Sequence, residues 1–411
     1  MASPLPAIRP LEAIPVERDG GVRYLLRDPQ RYSDHEAWLT PQALYLAAQL
    51  DGRRTAAEVA AALGERFGIA VAEEEVEAAV AQLDAVLFLD SPRFRDHKAR
   101  LEAAFAAAPV RPAANTAAYE ADPERLPAFL DAWFTAEGGP GGPPGPASGP
   151  APAGLVAPHI DLHRGGPAYA HAYRALAEAE PPETFVVLGT AHAGLRHPFA
   201  CLAKGYDTPL GPVALDRELA AALEAACPWA FEEAAAHRTE HSVELQVVWL
   251  RHLFGDRARL LPVLVDGLHD HLASGAPPES DRRREAFLAA LGEAVARLGR
   301  RVTYVAAVDL SHVGTHFGDP EPLDAARLAA VERVDRELLA ALLTGDAAAF
   351  FERWRAGGDA TRVCGAAPLY CLRRLTAELP GRLLCYRQCH TPEADLMVSC
   401  AAALFPRPEG A

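Results

Sequence analysis

Five short fragments of this chain carry side chains able to do chemistry. Ala157-Pro158-His159, Leu188-Gly189-Thr190-Ala191-His192 and Val308-Asp309-Leu310-Ser311-His312 each close an apolar run with a histidine-bearing motif. A neutral imidazole binds a metal ion or moves a proton near neutral pH. In Thr239-Glu240-His241-Ser242-Val243-Glu244, His241 and Glu244 lie one helical turn apart on one face. Glu244 could hold His241 in one tautomer, and Glu240 could cap the helix. Val363-Cys364-Gly365 precedes the helical run Ala366–Leu375. A cysteine there meets the positive end of the helix dipole, which favours thiolate, the form that attacks electrophiles and binds metals. Singly, each fragment also reads as ordinary: a lone histidine is more often a satisfied structural residue, and Cys-Gly before a helix is common. Three histidines at equivalent strand ends favour a shared pocket instead, because ligands of open α/β sheets sit beyond the carboxyl ends of the strands.

The elements that must place these fragments alternate along the chain. Strand candidates are Gly154–Pro158, Thr184–Leu188, Leu260–Val265, Val302–Val308, Leu383–Arg387 and Leu396–Ala401. Between them, the apolar spacing predicts helices over Ala168–Ala179, Asp216–Ala226, Ser242–Phe254, Arg282–Leu298 and Leu323–Leu343. Strands separated by helices of this length imply an α/β fold with a mostly parallel central sheet flanked by helices.

Residues 1–95 form a separate small, mainly helical unit. A helical stretch covers Ala37–Leu50, interrupted near its start by Thr40-Pro41. Thr55-Ala56-Ala57-Glu58 is a capping box opening a helix that stops at Gly68, and a further helix covers Glu73–Leu87. The stretch LDGRRTAAEVAAALGERFG is similar to peptide-binding winged helices of the PqqD type, which implies a winged-helix-like domain; a plain helical appendage fits the pattern equally. Residues 96–109 read as a connecting helix, and another helix starts at Asp122 and runs through Phe134. The Gly/Pro-rich residues 137–153 read as a flexible loop.

Bulk properties exclude several classes. The 411 residues are 50% hydrophobic, enough for a sizeable core, and the formal charge is -15. That charge argues against nucleic-acid or anionic-membrane partners, which need basic patches. The first residues lack the pattern of a secretory signal, and no stretch approaches the run of about 20 apolar residues that spans a membrane. Seven cysteines, an odd count with no CxxC pair, fit reduced thiols in the cytoplasm.

The ordered series APHIDLHRGGPAYAHAY, VLGTAHAG, DTPLG, EHSVELQ, LLPVLVDG, AAVDLSHVG and VCGAAPLYCLRRL resembles the Memo family, which includes the bacterial proteins called AmmeMemoRadiSam system protein B. The opening helix of that family resembles AAYEADPERLPAFLDAWF, so the Memo-like α/β domain is expected over residues 110–406, with the Gly/Pro-rich loop inside it. The resemblance implies a fold like that of class III extradiol dioxygenases, which use non-haem iron. It implies metal ligation by His159, His192 and Cys364. It places Asp309 and His312 in the same pocket and His241 and Glu244 at its wall. Two departures bear on pocket shape. Ile160-Asp161-Leu162 replaces Ala-Gly-Tyr after the first histidine, putting a carboxylate at Asp161 with His163 beside it, and Cys400 replaces the tyrosine of a VSYAA motif.

Two imidazoles and a thiolate form a fairly soft site open to iron, copper or zinc. Three protein ligands leave coordination positions vacant, as catalysis requires. The leading expectation is an iron-dependent redox enzyme acting with a radical SAM partner on an unknown small molecule, with copper or zinc as alternative metals. His312 would act as general acid or base, positioned by Asp309, and Cys364 would take part directly. One alternative is a non-catalytic module with a vestigial pocket, in which the N-terminal domain binds a peptide or partner. Another is a zinc-dependent hydrolase, which the absence of an HExxH motif disfavours.

Overall fold

The structure, a computed structural model, describes residues 3–18, 21–376 and 379–408. It divides into two units, Met1–Ala107 and Ala108–Ala411.

The first unit opens with strands β1 (Glu12–Arg18), β2 (Gly21–Arg27) and β3 (Ala37–Leu39), an antiparallel sheet in that order. Helices α1 (Pro41–Gln49), α2 (Ala56–Phe67), α3 (Glu73–Ala85) and α4 (Pro92–Ala107) follow. Ala37–Leu50 is therefore not one helical stretch. It breaks at Thr40-Pro41, where proline suits a first helical turn and the Thr40 hydroxyl accepts from the Ala43 amide. The capping box forms, the Thr55 amide donating to Glu58 at 2.8 Å, and α2 ends on left-handed Gly68. Arg9 is buried on Asp28 at 2.8 Å, its guanidinium 3.8 Å from the Phe94 ring centre.

The second unit is a mixed α/β domain. After α5 (Leu126–Ala132) come β4 (Gly154–Ala157), α6 (Leu162–Ala177), β5 (Thr184–Thr190), β6 (Phe199–Cys201), β7 (Ala214–Leu215), α7 (Arg217–Ala226), α8 (Ser242–Phe254), β8 (Arg259–Val265), α9 (His269–Ser274) and α10 (Arg282–Leu298). The chain continues through β9 (Val302–Ala307), β10 (His312–Val313), α11 (Ala325–Thr344), α12 (Ala347–Ala356), α13 (Ala366–Leu375), β11 (Arg382–Thr391) and β12 (Leu396–Phe405). The sheet runs β10-β12-β4-β9-β5-β8-β6, with β11 on β12 and β7 on β8. Strands β4, β9, β5 and β8 are mutually parallel, whereas β12 and β6 flank them antiparallel. The parallel arrangement thus holds at the centre and gives way at the margins. Every residue of β4, β5 and β9 is buried, which accounts for their unbroken apolar texture.

Residues 137–153 form neither helix nor strand, yet they are pinned to α6. Arg174 donates to the Pro140 carbonyl at 2.7 Å, and Glu178 accepts from the Gly145 amide. Among the described residues no helix is long and apolar enough to cross a membrane.

Candidate metal centre

Strand β9 lies between β4 and β5, so the chain segments leaving these three parallel strands are neighbours. The segment after β4 delivers His159, that after β9 delivers Asp309 and that after β5 delivers His192. Helix α8 brings His241 from its N-terminus, and the turn before α13 brings Cys364.

Three imidazoles converge. Ring nitrogens of His159, His192 and His241 all lie within 4.8 Å of one another. The His192 and His241 rings stack at 4.6 Å, with His159 edge-on to both. His159 is 2% exposed, whereas the His192 and His241 side chains are 37% and 36% exposed. The cluster therefore has a buried floor and an accessible mouth.

Hydrogen bonds set the tautomers. His159 Nδ1 donates to the Ala307 carbonyl at 2.9 Å. His192 Nδ1 donates to Glu240, 3.0 and 3.1 Å from its two oxygens. Each leaves Nε2 as the nitrogen that could ligate a metal, the arrangement that orients histidines in metal sites. Glu240 also accepts from the amides of His192, His241 and Ser242, and its carboxylate lies 3.3 Å from His241 Nδ1. One carboxylate thus caps α8 and serves two imidazoles.

Cys364 abuts this cluster. Its Sγ lies 3.2 Å from His159 Nε2, and it also hydrogen-bonds His192. The expected thiolate bias does not hold: burial pushes the thiol up, outweighing the hydrogen bond from His192. The helix dipole exerts its effect at close range, and here Gly365, not Cys364, is the N-cap of α13. Burial and the neighbouring imidazoles hold His159 well below the usual histidine range. Burial also works against charge on His192, but the Glu240 carboxylate and Cys364 carry it well above that range. A cation entering the pocket must displace that proton.

Several sequence-derived residues take other roles. Asp309 accepts from the His159 amide at 3.1 Å, and its other oxygen lies 3.6 Å from His159 Nε2. Burial raises this carboxyl to about 7. Asp309 therefore serves His159 and is not the group that holds His312. His312 Nδ1 is held instead by the carbonyls of Leu310 and Arg362, both at 3.1 Å, and burial lowers its basicity. Glu244 does not hold His241. Its carboxylate is fully buried against Arg111, the Asn115 amide and side chain, and Tyr119, clamping the segment before α5 onto α8. Asp161 caps α6, accepting from the Arg164 amide and pairing with its guanidinium at 2.6 Å. His163 is exposed, its ring 5.2 Å from that of Phe129. Among the described residues, neither Asp161 nor His163 joins the imidazole cluster.

The sequence pointed to Glu240 only as a cap, and to His241 only as wall. The signal lay in their adjacency: a cap carboxylate beside a histidine at a helix start necessarily faces whatever that helix end faces. Nothing local marked Arg111, Asn115 or Tyr119.

An α/β domain with a histidine pocket beyond the carboxyl ends of its parallel strands defines the class to which this chain belongs. The family model described as Memo-like protein matches residues 111–404, and the chain belongs to that family. A MEMO1 family protein of Thermus thermophilus is 31% identical over 344 residues, 81% of this chain and 94% of its own length. One from Aquifex aeolicus is 26% identical over 393 residues, 94% of this chain and 96% of its own, so that likeness extends into the first unit. One from Methanopyrus kandleri is 34% identical over 200 residues, 48% of this chain and 67% of its own.

Proposed function

We propose that His159, His192 and His241, with Cys364 alongside, hold one metal ion, and that the protein is a metal-dependent redox enzyme acting with a radical SAM partner. Iron is the leading assignment, with copper and zinc as alternatives. One observation carries this reading: three imidazoles converge with the Nδ1 atoms of His159 and His192 already committed to acceptors. Ligand nitrogens about 2.0–2.1 Å from a common ion lie within about 4.2 Å of one another, so the observed cluster needs only slight closure.

Bound there, the ion would supply Lewis acidity and, as iron or copper, one-electron chemistry. The chain's own groups do the rest. His159 forms the floor and excludes water on its side. Glu240 holds His192 in the ligating tautomer. Asp309, raised to about 7 by burial, can hold a proton near neutrality beside the site while its carboxyl accepts from the His159 amide. His312, with Nδ1 tied to two carbonyls, offers Nε2 to a proton in transit. A dioxygenase-like fold is supported by parallel strands that present this site at their carboxyl ends. We assign residues 1–95 as a winged-helix-like, PqqD-like domain for a partner or peptide, 96–109 as its connector and 110–406 as the Memo-like domain, in a cytoplasmic protein. Support comes from the sequence likeness of the α2 segment and from the Aquifex relative that matches both units.

A second reading is favoured by the third imidazole. Three imidazoles, once the ion has displaced the His192 proton, also suit zinc-activated water, and thus hydrolysis.

Metal analysis of anaerobically purified protein tests both readings. Wild type is expected to carry one equivalent, and His192→Ala and His241→Ala to lose it. Full metal content in both variants would overturn the site. Absorption-edge measurement separates iron and copper from zinc.

A further inference from the structure

Three of the seven cysteines lie together on the antiparallel ribbon β11–β12. The register pairs Arg387 with Cys400 and Cys389 with Val398. Paired residues share a face, as do residues two apart. Cys385, Cys389 and Cys400 therefore point the same way, and Cys389 and Cys400 are diagonal neighbours. That face packs on Ile160 and on Ala168 of α6, with Cys385 alongside. Ile160 directly follows His159, and the field of the Asp309 carboxylate reaches both Cys389 and Cys400. The group thus adjoins the imidazole pocket without belonging to it.

These thiols behave unlike ordinary core cysteines. Cys201, Cys227 and Cys371 sit in the main apolar core, where a free cysteine packs as a small hydrophobe. On the ribbon, Cys389 and Cys400 pack together in a small cluster with Ile160, Ala168 and Val398. Cys389 also approaches the Arg164 carbonyl at 3.5 Å. Cys400 is fully buried, Cys389 keeps 8% of its surface, and Cys385 is half-buried. The pair therefore has an inner and an outer member.

We propose that Cys389 and Cys400 are a peroxide-reactive dithiol that closes reversibly to a disulfide beside the imidazole pocket, with hydrogen peroxide or an organic hydroperoxide as oxidant. The Cys389 sulfur attacks one peroxide oxygen. The O–O bond breaks, leaving a sulfenic acid on Cys389 and releasing water or an alcohol. The Cys400 sulfur then attacks the sulfenic sulfur. The S–S bond forms, the S–O bond breaks, and hydroxide departs with the Cys400 proton as water. The two thiols lose two electrons and the peroxide gains them. Cys389 keeps the more accessible position and Cys400 is fully buried, which matches an attacking outer and a resolving inner residue; the neighbouring Cys400 thiol draws Cys389 below its ordinary value, and Cys389 and burial push Cys400 up. Diagonal strand neighbours sit about 7–8 Å apart at Cα, beyond the usual disulfide limit of about 6.8 Å. Closure therefore strains the ribbon, and strained disulfides are the readily reduced ones.

The inference does not depend on the metal, so the test runs on the full chain both as purified and after chelation. Reduced protein receives one equivalent of hydrogen peroxide under argon and is then alkylated and mapped by mass. In both samples a peptide linking Cys389 to Cys400 is expected, two of the seven thiols are lost, and a small thiol restores them. Cys400→Ser should leave a dimedone-reactive sulfenic acid on Cys389, and Cys389→Ser should not. The wild-type map stands alone should either variant fail to fold. Unreacted Cys389 and Cys400, a link through Cys385 or Cys364 instead, or oxidation confined to the metal-loaded sample would each overturn the proposal.

Discussion

Replacing Glu240 by glutamine tests the pocket at its most connected residue. The wild-type carboxylate lies 3.0 and 3.1 Å from His192 Nδ1, and accepts from the His241 and Ser242 amides at 2.8 and 2.9 Å. Glutamine keeps the shape and one acceptor oxygen but removes the charge, and its amide group faces donors. Changing a partner that orients a ligating histidine typically costs 10- to 100-fold in metal affinity, about 1.4–2.7 kcal/mol. Glu240 serves two of the three imidazoles, so the upper half of that range is expected. The same change weakens a helix cap, which costs about 1 kcal/mol of stability. Affinity must therefore be measured well below the unfolding temperature. Chelator-stripped protein would be titrated with Zn(II), and anaerobically with Fe(II), against a chromophoric competitor. In parallel, NMR titration of the metal-free protein would follow His192. Loss of the carboxylate should bring His192 down from its raised position, because the partner favouring its charged form is gone. A variant within about twofold of wild-type affinity, outside the 10- to 100-fold range, with His192 titrating as before, would refute the reasoning.

Glu244→Gln separates clamp from pocket. It leaves the buried Arg111 charge without its counter-ion, so unfolding in denaturant should become about 3–5 kcal/mol easier. Metal affinity of the still-folded variant should stay at the wild-type value, and a large loss there would place Glu244 at the metal after all. His237 supplies a pH signature remote from the ligands. It is fully buried between the Tyr206 hydroxyl and the Ala200 carbonyl, and burial lowers it to about 4. An unfolded histidine takes up its proton below about pH 6.5, but the folded one resists until about 4. Stability present above pH 6.5 should thus be lost as pH falls between those values, by up to about 3 kcal/mol. His237→Gln should flatten the fall, and an unchanged slope would exclude His237 as its source.

The sequence made the centre of the domain legible and its margins less so. Strand β5 announces itself as an unbroken apolar run because helices cover both its faces. Helices α8, α10 and α13 begin and end where the sequence pattern placed them. Strands β6, β7 and β10 are two or three residues long, too short to show a period. In the β1–β2 hairpin, partial exposure blurs the alternation. The site divides the same way. Strand ends delivered His159, His192 and Asp309 from local pattern alone. The sequence offers Glu244 as the partner of His241 and Glu240 only as a cap, an assignment that fails because Arg111 arrives from 133 residues away and claims Glu244. That contact is non-local, and no spacing rule contains it.

Two glycines explain why the pocket could be recognised from short motifs. Gly189 precedes Thr190 and His192 on β5, and a Cβ there would lie 2.5 Å from Ser242 Oγ and 2.7 Å from Val243 Cγ2. Those atoms belong to the first turn of α8, which carries His241 and Glu240. Gly365 follows Cys364, and a Cβ there would lie 2.5 Å from Val308 Cβ and 2.6 Å from the Asp309 carbonyl oxygen. Neither glycine needs a left-handed backbone, since neither has positive φ; each is required by close approach alone. Through Gly189 the helix bearing His241 comes down onto the strand bearing His192 until one carboxylate spans both rings. Through Gly365 the cysteine turn reaches the end of the strand bearing Asp309, until its sulfur meets His159. A methyl group at either position would drive these segments apart and open the three-imidazole cluster. The glycines beside the histidine and the cysteine are therefore part of the site's geometry, although neither offers a ligand.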